Sequence, residues 1–594
     1  MAVYQAPLRQ MRFLLHEVFN VEKTLGDISA YPDFNQELMD AILDEAANFA
    51  TQVLLPINAS GDLEGCKWKD GEVTTPEGFK EAFKQFCDSG WSAMGCDENF
   101  GGQPIPKILH LMVEEIFCAC NTAFELYPNL TNTAIFLLEK HASQDLKDKY
   151  LAKMITGEWM GTMCLTESHA GSDLGIINTT AVPNENDSYK INGTKIFISA
   201  GDHDLSDNIV HLVLAKLPGS PAGSKGISLF LVPKINSDDA GNLTNGNGVS
   251  CGSIEHKMGI KGSATCVINF DDAEGYLIGE PNQGLRCMFT MMNAERLSVG
   301  VQAIGMAETS SQSAVAYALD RKQGRVSNDP EDVDSIVKHG DVRRMLLSMM
   351  TMTSGCRALS AYVGLQYDIS DNHPDADERK RAAALVALLT PVCKAFVSDR
   401  GLDTCNNGIQ VLGGHGYVQE WGMEQLVRDT RITQIYEGTN GIQALDLLGR
   451  KILSDKGAAW KELYCEMSGM LEAAEKIDYE PELCAEVRAE LDELDSVTMQ
   501  VFGKANMDFV SSVATDYMNL FGTTIVACLW LKVAATASQK AEQGTFETQL
   551  QNQAKFFCTY HLASNTSARK RVLAGADATM AMTEAEFELL TEVN

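Results

Sequence analysis

Glu437 is the one carboxylate between an apolar helical run and the Gly438-Thr439-Asn440-Gly441 turn, in the stretch from Arg428 to Gln443. A carboxylate at such a corner can project into a pocket lined by the run before it. Desolvation there disfavours its charged form and makes it a stronger base. The same pattern also describes a surface acid beside an ordinary turn. A second polar stretch, Met163 to Gly175, holds Thr166, Glu167, Ser168, His169, Gly171, Ser172 and Asp173. Small hydroxyl residues beside glycine let backbone amides approach a ring edge or a phosphate. A solvated surface loop fits it equally. Phe197 and Ser199 pair an aromatic face with a hydroxyl two residues on, able to stack on and hydrogen-bond a flat heterocycle, or simply to alternate along a strand.

Other chemistries lack their motifs. There is no glycine-rich dinucleotide fingerprint in a strand–helix setting and no Gly-x-x-x-x-Gly-Lys-Ser/Thr loop. His16-Glu17 is followed by Val18-Phe19-Asn20, so the zinc-protease pattern fails. Cys118 and Cys120 are the only close pair among 16 scattered cysteines, a poor metal signature that reads better as buried free thiols in a reducing compartment. No metal site is expected.

The elements that must carry these residues divide the chain into four segments. Residues 1–158 read as helical, with Leu38, Ile42, Ala46, Phe49 and Val53 marking a helix over 33–53 that Pro56 stops. Further helical runs cover 108–120 and 133–155. Residues 159–280 read as a small β-domain. Tyr189 to Ser199 is expected to form a hairpin about Asn192-Gly193, with more strands over 209–217, 226–235 and 266–270 and a surface loop over 236–250. Residues 281–450 return to helical spacing as a four-helix bundle carrying Glu437, with a polar loop over 325–334 that reads as mobile. Residues 451–594 form an extra acidic helical domain with a net charge of −10.

With 594 residues and 45% hydrophobic content, the chain can bury a large core without staples. Its 48 Lys+Arg against 80 Asp+Glu give a net charge of −32, which repels nucleic acid and anionic membrane surfaces. No run approaches the ~20 apolar residues of a membrane span, and the N-terminus lacks a signal-peptide pattern, so a cytoplasmic protein without membrane insertion is expected.

Taken in order, Leu165-Thr166-Glu167, Gly171-Ser172-Asp173, Phe197-Ile198-Ser199, Gln410 to Tyr417 and Ile435 to Asn440 resemble the flavin-dependent acyl-CoA dehydrogenase family over about residues 30–450. The N-terminal stretch from Tyr4 to Leu14 and the long helical tail resemble its enlarged branch, which includes enzymes acting on 3-methylmercaptopropionyl-CoA. The resemblance implies an α+β fold with an N-terminal helical domain, a middle β-domain and a C-terminal bundle. It implies FAD as cofactor, with Leu165, Thr166, Phe197, Ile198 and Ser199 at the flavin ring. Arg321 would reach a neighbouring subunit's pyrophosphate, Gln410 and Gly414 the adenosine end, and Thr439 another part of the cofactor. Ser172, Arg296 and Gly438 would serve the acyl-CoA. Glu437 would remove the α-proton while flavin N5 takes the β-hydride. An electron-transfer flavoprotein or similar acceptor and a homodimer follow from the same resemblance. Medium- or long-chain fatty acyl-CoA, an oxidase passing electrons to oxygen, and a nucleic-acid-binding flavoprotein are the alternatives. Departures from the family pattern include Ser168 for proline, Phe197 for tryptophan, Asn293 for aspartate and Gly441 for glutamine.

Overall fold

Apolar spacing near the N-terminus builds α1 (Gln36–Phe49), but its buried face is Met39, Leu43, Ala46 and Phe49. Leu38 is exposed and Ile42 half-buried, so the first half of the face lies one residue from the expected one, while Ala46 and Phe49 are buried as expected. Pro56 does not end the helical path either. It occupies the first turn of a 3₁₀ segment, where its missing N–H costs nothing, and helix resumes over Asn58–Glu64. The structure, a computed structural model, describes residues 3–26, 28–31, 34–238, 240–326, 333–504, 506–540 and 544–589. Residues 327–332, central to the expected mobile loop, lie outside them, as does Asp33.

The described chain forms two units. The first takes Met1–Ala6, Glu37–Thr309 and Val418–Ile432; the second takes Pro7–Gln36, Ser310–Tyr417 and Thr433–Asn594.

In the first unit, α2 (Lys107–His141) bends at Asn121, whose φ of −161° and ψ of 83° leave the helical region. The Asn121 side chain then accepts from Phe124 N at 3.0 Å and starts the helix afresh. A seven-stranded sheet follows, made of β1 (Trp159–Cys164), β2 (Thr180–Pro183), β3 (Tyr189–Ser199), β4 (Asn208–Lys216), β5 (Ile227–Pro233), β6 (Val249–Ile254) and β7 (Thr265–Ile278). The pairings run β6-β7-β3-β2-β4-β1, and β5 joins β7 to β4, which closes a ring. Its interior is filled by Ile191, Ile198, Val213, Phe230, Val232, Cys266 and Ile268 among others. Two short hairpins, Lys67–Lys69 with Glu72–Thr74 and Ile235–Ser237 with Leu243–Gly246, form where helix and loop respectively are expected.

The expected hairpin at Asn192-Gly193 is replaced by one continuous strand. β3 is paired on both edges, with β2 and with β7. The turn that connects β2 to β3 is Asn184–Ser188, closed by Asn184 N donating to Ser188 O at 2.8 Å. Asp187 there takes φ 58°, the left-handed conformation that Asn-Gly was expected to supply. Gly193 serves close packing instead: a Cβ would meet Thr179 Oγ1 at 2.5 Å.

In the second unit, α4 (Gly340–Asn372) and α5 (Ala376–Leu412) pack with α7 (Met507–Ser538); α3 (Gly284–Asp320) belongs to it from Ser310 onward. Gly355 and Gly522 permit the close approach. A Cβ on Gly355 would meet Val526 at 2.5 Å, and one on Gly522 would meet the Phe396 ring at 2.5 Å. Trp530 Nε1 donates to Thr351 O at 3.0 Å across the same seam. The helices α5 and α7 are long and apolar enough to cross a membrane by composition, yet their most apolar windows are 78% and 89% buried within the fold, as core helices are. All sixteen cysteines are free thiols.

Three acids gather in the first unit. Glu114 and Glu125 on α2 and Glu295 on α3 are all buried. Burial pushes the Glu125 carboxyl well above its ordinary range, and Glu114 and Glu295 push it further. The folded protein therefore keeps a proton that the unfolded chain releases. The stability this gives is complete below the ordinary carboxylate range and is lost as pH rises through the folded pKa. Glu125→Gln removes the loss. Denaturant midpoints at pH 4 and pH 9 should lie close together for the two proteins at the lower pH and favour the variant at the higher, with a slope of up to about 1.4 kcal/mol per pH unit. A difference independent of pH would show that Glu125 is already ionised at pH 4.

The ring of strands holds a second charge device. Lys195 on β3 is fully buried and Glu167 nearly so. Lys195 Nζ donates to Glu167 Oε1 and to Leu165 O, both at 2.9 Å. Glu167 also accepts from Thr179 N at 3.0 Å, Thr179 Oγ1 at 2.6 Å and Asn178 N at 2.7 Å. Burial raises the Glu167 pKa, but Lys195 and these donors outweigh it and hold the carboxyl down at about 2. Lys195→Met leaves the carboxylate buried without its cation, at a cost of about 3–5 kcal/mol. Adding Glu167→Gln should recover part of that loss in thermal unfolding; a double variant no better than the single would refute the pairing.

Candidate active site

The loop that follows β1 is organised by that ion pair. Lys195 fixes the Leu165 carbonyl, and Ile196 N donates to Thr166 O at 2.9 Å. Glu167 and Ala170 then exchange two backbone hydrogen bonds at 3.0 Å, turning the chain tightly at Ser168-His169. His169 Nε2 donates to Ile176 O at 3.0 Å, so this histidine ties the loop to itself. Leu165 is buried, Thr166 half-buried and Ser172 exposed.

Two residues on, β3 bulges. Lys195 faces Ile268 and Ile198 faces Cys266, so Ile196 and Phe197 together oppose Val267. Phe197 adopts φ 58° and is 59% exposed. A left-handed conformation at a bulky residue costs about 1–3 kcal/mol, and here it turns an aromatic face outward from a buried strand. Ile198 points the other way into the core, so only its backbone can meet a ligand. Ser199 is half-buried beside it. An outward aromatic, a hydroxyl and a loop with a fixed backbone suit one face of a flat heterocycle such as the isoalloxazine of FAD. Arg296, also in this unit, is buried and donates to Asn293 Oδ1 at 3.2 Å.

The second unit carries Glu437. The segment is not the simple turn expected of Gly438-Thr439-Asn440-Gly441. Only Glu437 and Gly438 take left-handed backbone, at φ 56° and 83°; Asn440 and Gly441 already open α6 (Asn440–Leu445), with Thr439 as its N-cap. The Thr439 hydroxyl makes no capping bond and the residue is exposed. Gln443, fully buried, donates Nε2 to the Glu437 carbonyl at 3.0 Å and lies against Gly438, where a Cβ would meet that nitrogen at 2.6 Å. The flanks are tied to α5. Asp399 Oδ1 accepts from Gln434 Nε2 and from Asn440 Nδ2, both at 2.7 Å. Lys394 Nζ donates to Asn440 Oδ1 at 2.8 Å.

Arg321, Gln410 and Gly414 are exposed in this unit, and a Cβ on Gly414 would meet nothing within 4 Å, an open backbone that a ligand can approach. The candidate residues thus form two sets, Leu165, Thr166, Ser172, Phe197, Ile198, Ser199 and Arg296 in the first unit, and Arg321, Gln410, Gly414, Glu437, Gly438 and Thr439 in the second. Sequence reasoning missed the residues beneath them. Lys195 reads as a strand lysine and Asp399 as a helix-surface acid, and their partners lie 28 to 41 residues away. A lysine at an inward position of an alternating strand was the one available signal for the first.

Comparison with known proteins supplies the family. Residues 36–158, 162–273 and 282–453 match the N-terminal, middle and C-terminal domains of acyl-CoA dehydrogenase, and residues 465–583 match a domain described as acetyl-CoA dehydrogenase C-terminal like. The chain is 43% identical over 455 residues to the 3-methylmercaptopropionyl-CoA dehydrogenase of Ruegeria pomeroyi, covering 76% of this chain and 77% of that one. It is 34% identical over 558 residues to a butyryl-CoA dehydrogenase of Syntrophomonas wolfei, covering 91% of each. Among solved structures, the fold matches Caenorhabditis elegans ACDH-11 in complex with C11-CoA, with a TM-score of 0.76, 20% identity and coverage of 94% of this chain and 91% of that one. It also matches a Bacillus anthracis acyl-CoA dehydrogenase complexed with FAD, with a TM-score of 0.74, 21% identity and coverage of 95% and 92%. The chain belongs to the acyl-CoA dehydrogenase family and is an acyl-CoA dehydrogenase that takes FAD as its cofactor.

Proposed function

We propose that the enzyme oxidises the Cα–Cβ bond of an acyl-CoA thioester to the 2-enoyl-CoA, with Glu437 removing the α-proton. The observation that carries this reading is the left-handed backbone at Glu437, stabilised by the Gln443 amide on its carbonyl. Strain of this kind at a non-glycine acid persists where the surroundings over-determine it. A thioester α-proton is weakly acidic, so its removal near neutral pH needs a base in a drying pocket and a donor to the developing enolate oxygen. The Glu437 carboxylate supplies the first and its backbone N–H the second. Leu165, Thr166, Phe197, Ile198, Ser199 and Thr439 hold the flavin, with Gln410 and Gly414 toward its adenosine end and Arg321 at a neighbouring subunit's pyrophosphate. When bound, FAD supplies the acceptor for the β-hydride. Ser172, Arg296 and Gly438 bind the acyl-CoA.

The substrate favoured is 3-methylmercaptopropionyl-CoA, supported by the 43% identical relative of that name. A linear fatty acyl-CoA is the second reading, supported by the Syntrophomonas relative and by a 35% identical broad-specificity linear acyl-CoA dehydrogenase of Mycobacterium tuberculosis. The enzyme works as a cytoplasmic homodimer and passes its electrons to an electron-transfer flavoprotein or a similar acceptor.

Glu437→Gln keeps the side-chain shape but cannot accept the proton. Anaerobic bleaching of the flavin absorbance by substrate should slow at least 10²–10⁴-fold, with FAD content and acyl-CoA binding retained. Bleaching at the wild-type rate would remove Glu437 as the base. A panel of acyl-CoAs assayed on the wild type should place the highest kcat/KM on the methylthio substrate; a higher value on butyryl-CoA or a longer chain selects the second reading.

A further inference from the structure

The five residues Ile435–Thr439 that carry Glu437 are bracketed by two amide side chains, and both amides end on one atom. Gln434 Nε2 and Asn440 Nδ2 each donate to Asp399 Oδ1 at 2.7 Å. Asn440 is held from further sides. Its Nδ2 also donates to Ala395 O at 3.1 Å, and its Oδ1 accepts from the fully buried Lys394 and from Ser398 Oγ at 3.3 Å. Lys394, Ala395, Ser398 and Asp399 occupy consecutive turns of one face of α5, so the frame is as stiff as that helix. A short loop with left-handed residues at its apex has many closed conformations. Fixing both ends to a single oxygen selects among them and, with Gln443 on the Glu437 carbonyl, sets the direction of the carboxylate.

We propose that Asp399 is a positioning residue for the catalytic base: it locks both ends of the Glu437 loop to α5 and so fixes where the carboxylate stands. The proposal rests on the reading of Glu437 as the base. A base displaced by about 1 Å loses on the order of 10²-fold in rate, while binding, which rests also on Ser172 and Arg296 for the acyl-CoA and on the Leu165 and Phe197 segments for the flavin, outside this loop, changes far less.

The test uses the full-length FAD-loaded enzyme. Asp399→Ala should slow anaerobic flavin bleaching about 10²-fold, with KM within about threefold of wild type and FAD content unchanged. It should also raise the kinetic isotope effect with α-deuterated acyl-CoA, because α-proton transfer becomes the slow step, a change that general loosening of the fold would not produce. Asp399→Asn keeps an oxygen able to accept both bonds and should restore the rate to within about fivefold. If Asp399→Ala does not fold, Gln434→Leu, which frees one end only, should show the same isotope effect at a smaller loss of rate. An Asp399→Ala enzyme that bleaches at the wild-type rate, or an isotope effect unchanged in every variant, overturns the proposal. Glu437→Gln serves as the control. If it is inactive while Asp399→Ala is unimpaired, the positioning role fails and the base assignment stands; if it bleaches normally, both fall.

Discussion

Lys195 has no water to fall back on. An ammonium enclosed in a ring of strands must find acceptors within the protein or abandon its charge, and it finds Glu167 and the Leu165 carbonyl. That requirement couples three segments that are distant in sequence. The loop after β1 must deliver a carboxylate, the approach to β2 must deliver Asn178 and Thr179 to satisfy the remaining lone pairs, and β3 must bring the lysine inward. Because the alternation of a strand is strict, an inward Lys195 would leave Phe197 inward as well. The bulge at Ile196–Phe197 breaks the alternation and turns the aromatic ring outward. The buried charge and the exposed ring are thus two consequences of one local register.

The Glu437 loop in the second unit follows the same logic. A non-glycine residue takes left-handed backbone, and buried polar side chains offset the cost by hydrogen-bonding the adjoining backbone and the flanking residues. In both places the residue offered to a ligand sits where the backbone departs from regular structure, while the residues that hold it lie within regular elements. Irregular segments held on rigid elements are a common arrangement for functional groups, and the rigid elements here are β3 and α5.

How far the sequence could be read follows from the range of the forces involved. Helices of many turns and the central strands of the β-domain were legible because periodicity is local. The Asn192-Gly193 pair misled because a turn propensity is weak beside two strand neighbours that pair through it, and the true turn at Asn184–Ser188 uses less specific residues. The start of the 36–49 face, at Leu38 and Ile42, and the continuation past Pro56 were missed by one residue and one turn, the scale at which burial rather than pattern decides. The loops at Leu165 and Glu437 were legible as family motifs. Their supports, Lys195 and Asp399, were not, because each meets its partners only after folding.

With a net charge of −32, the surface opposes any polyanion, so an acyl-CoA or FAD phosphate must be met by particular cations or amides. The Arg428-to-Gln443 stretch holds two arginines, Arg428 and Arg431, and the fold consumes the first. Arg428 is bound by Asp62 at 2.7 and 3.0 Å and by Glu424 at 2.5 and 2.9 Å, and its guanidinium also donates to Met258 O at 3.1 Å. An arginine neutralised by two carboxylates has little left for a phosphate. Arg321 differs: it is exposed, is followed by Lys322 and Arg325, and engages its neighbours through the backbone, Arg321 N to Tyr317 O and Ile336 N to Arg321 O, each at 2.8 Å. Arginine side chains in one family-matching region therefore serve opposite ends, Arg428 fastening its own helix, Met423–Arg431, and Arg321 presenting charge outward where an anion can reach it.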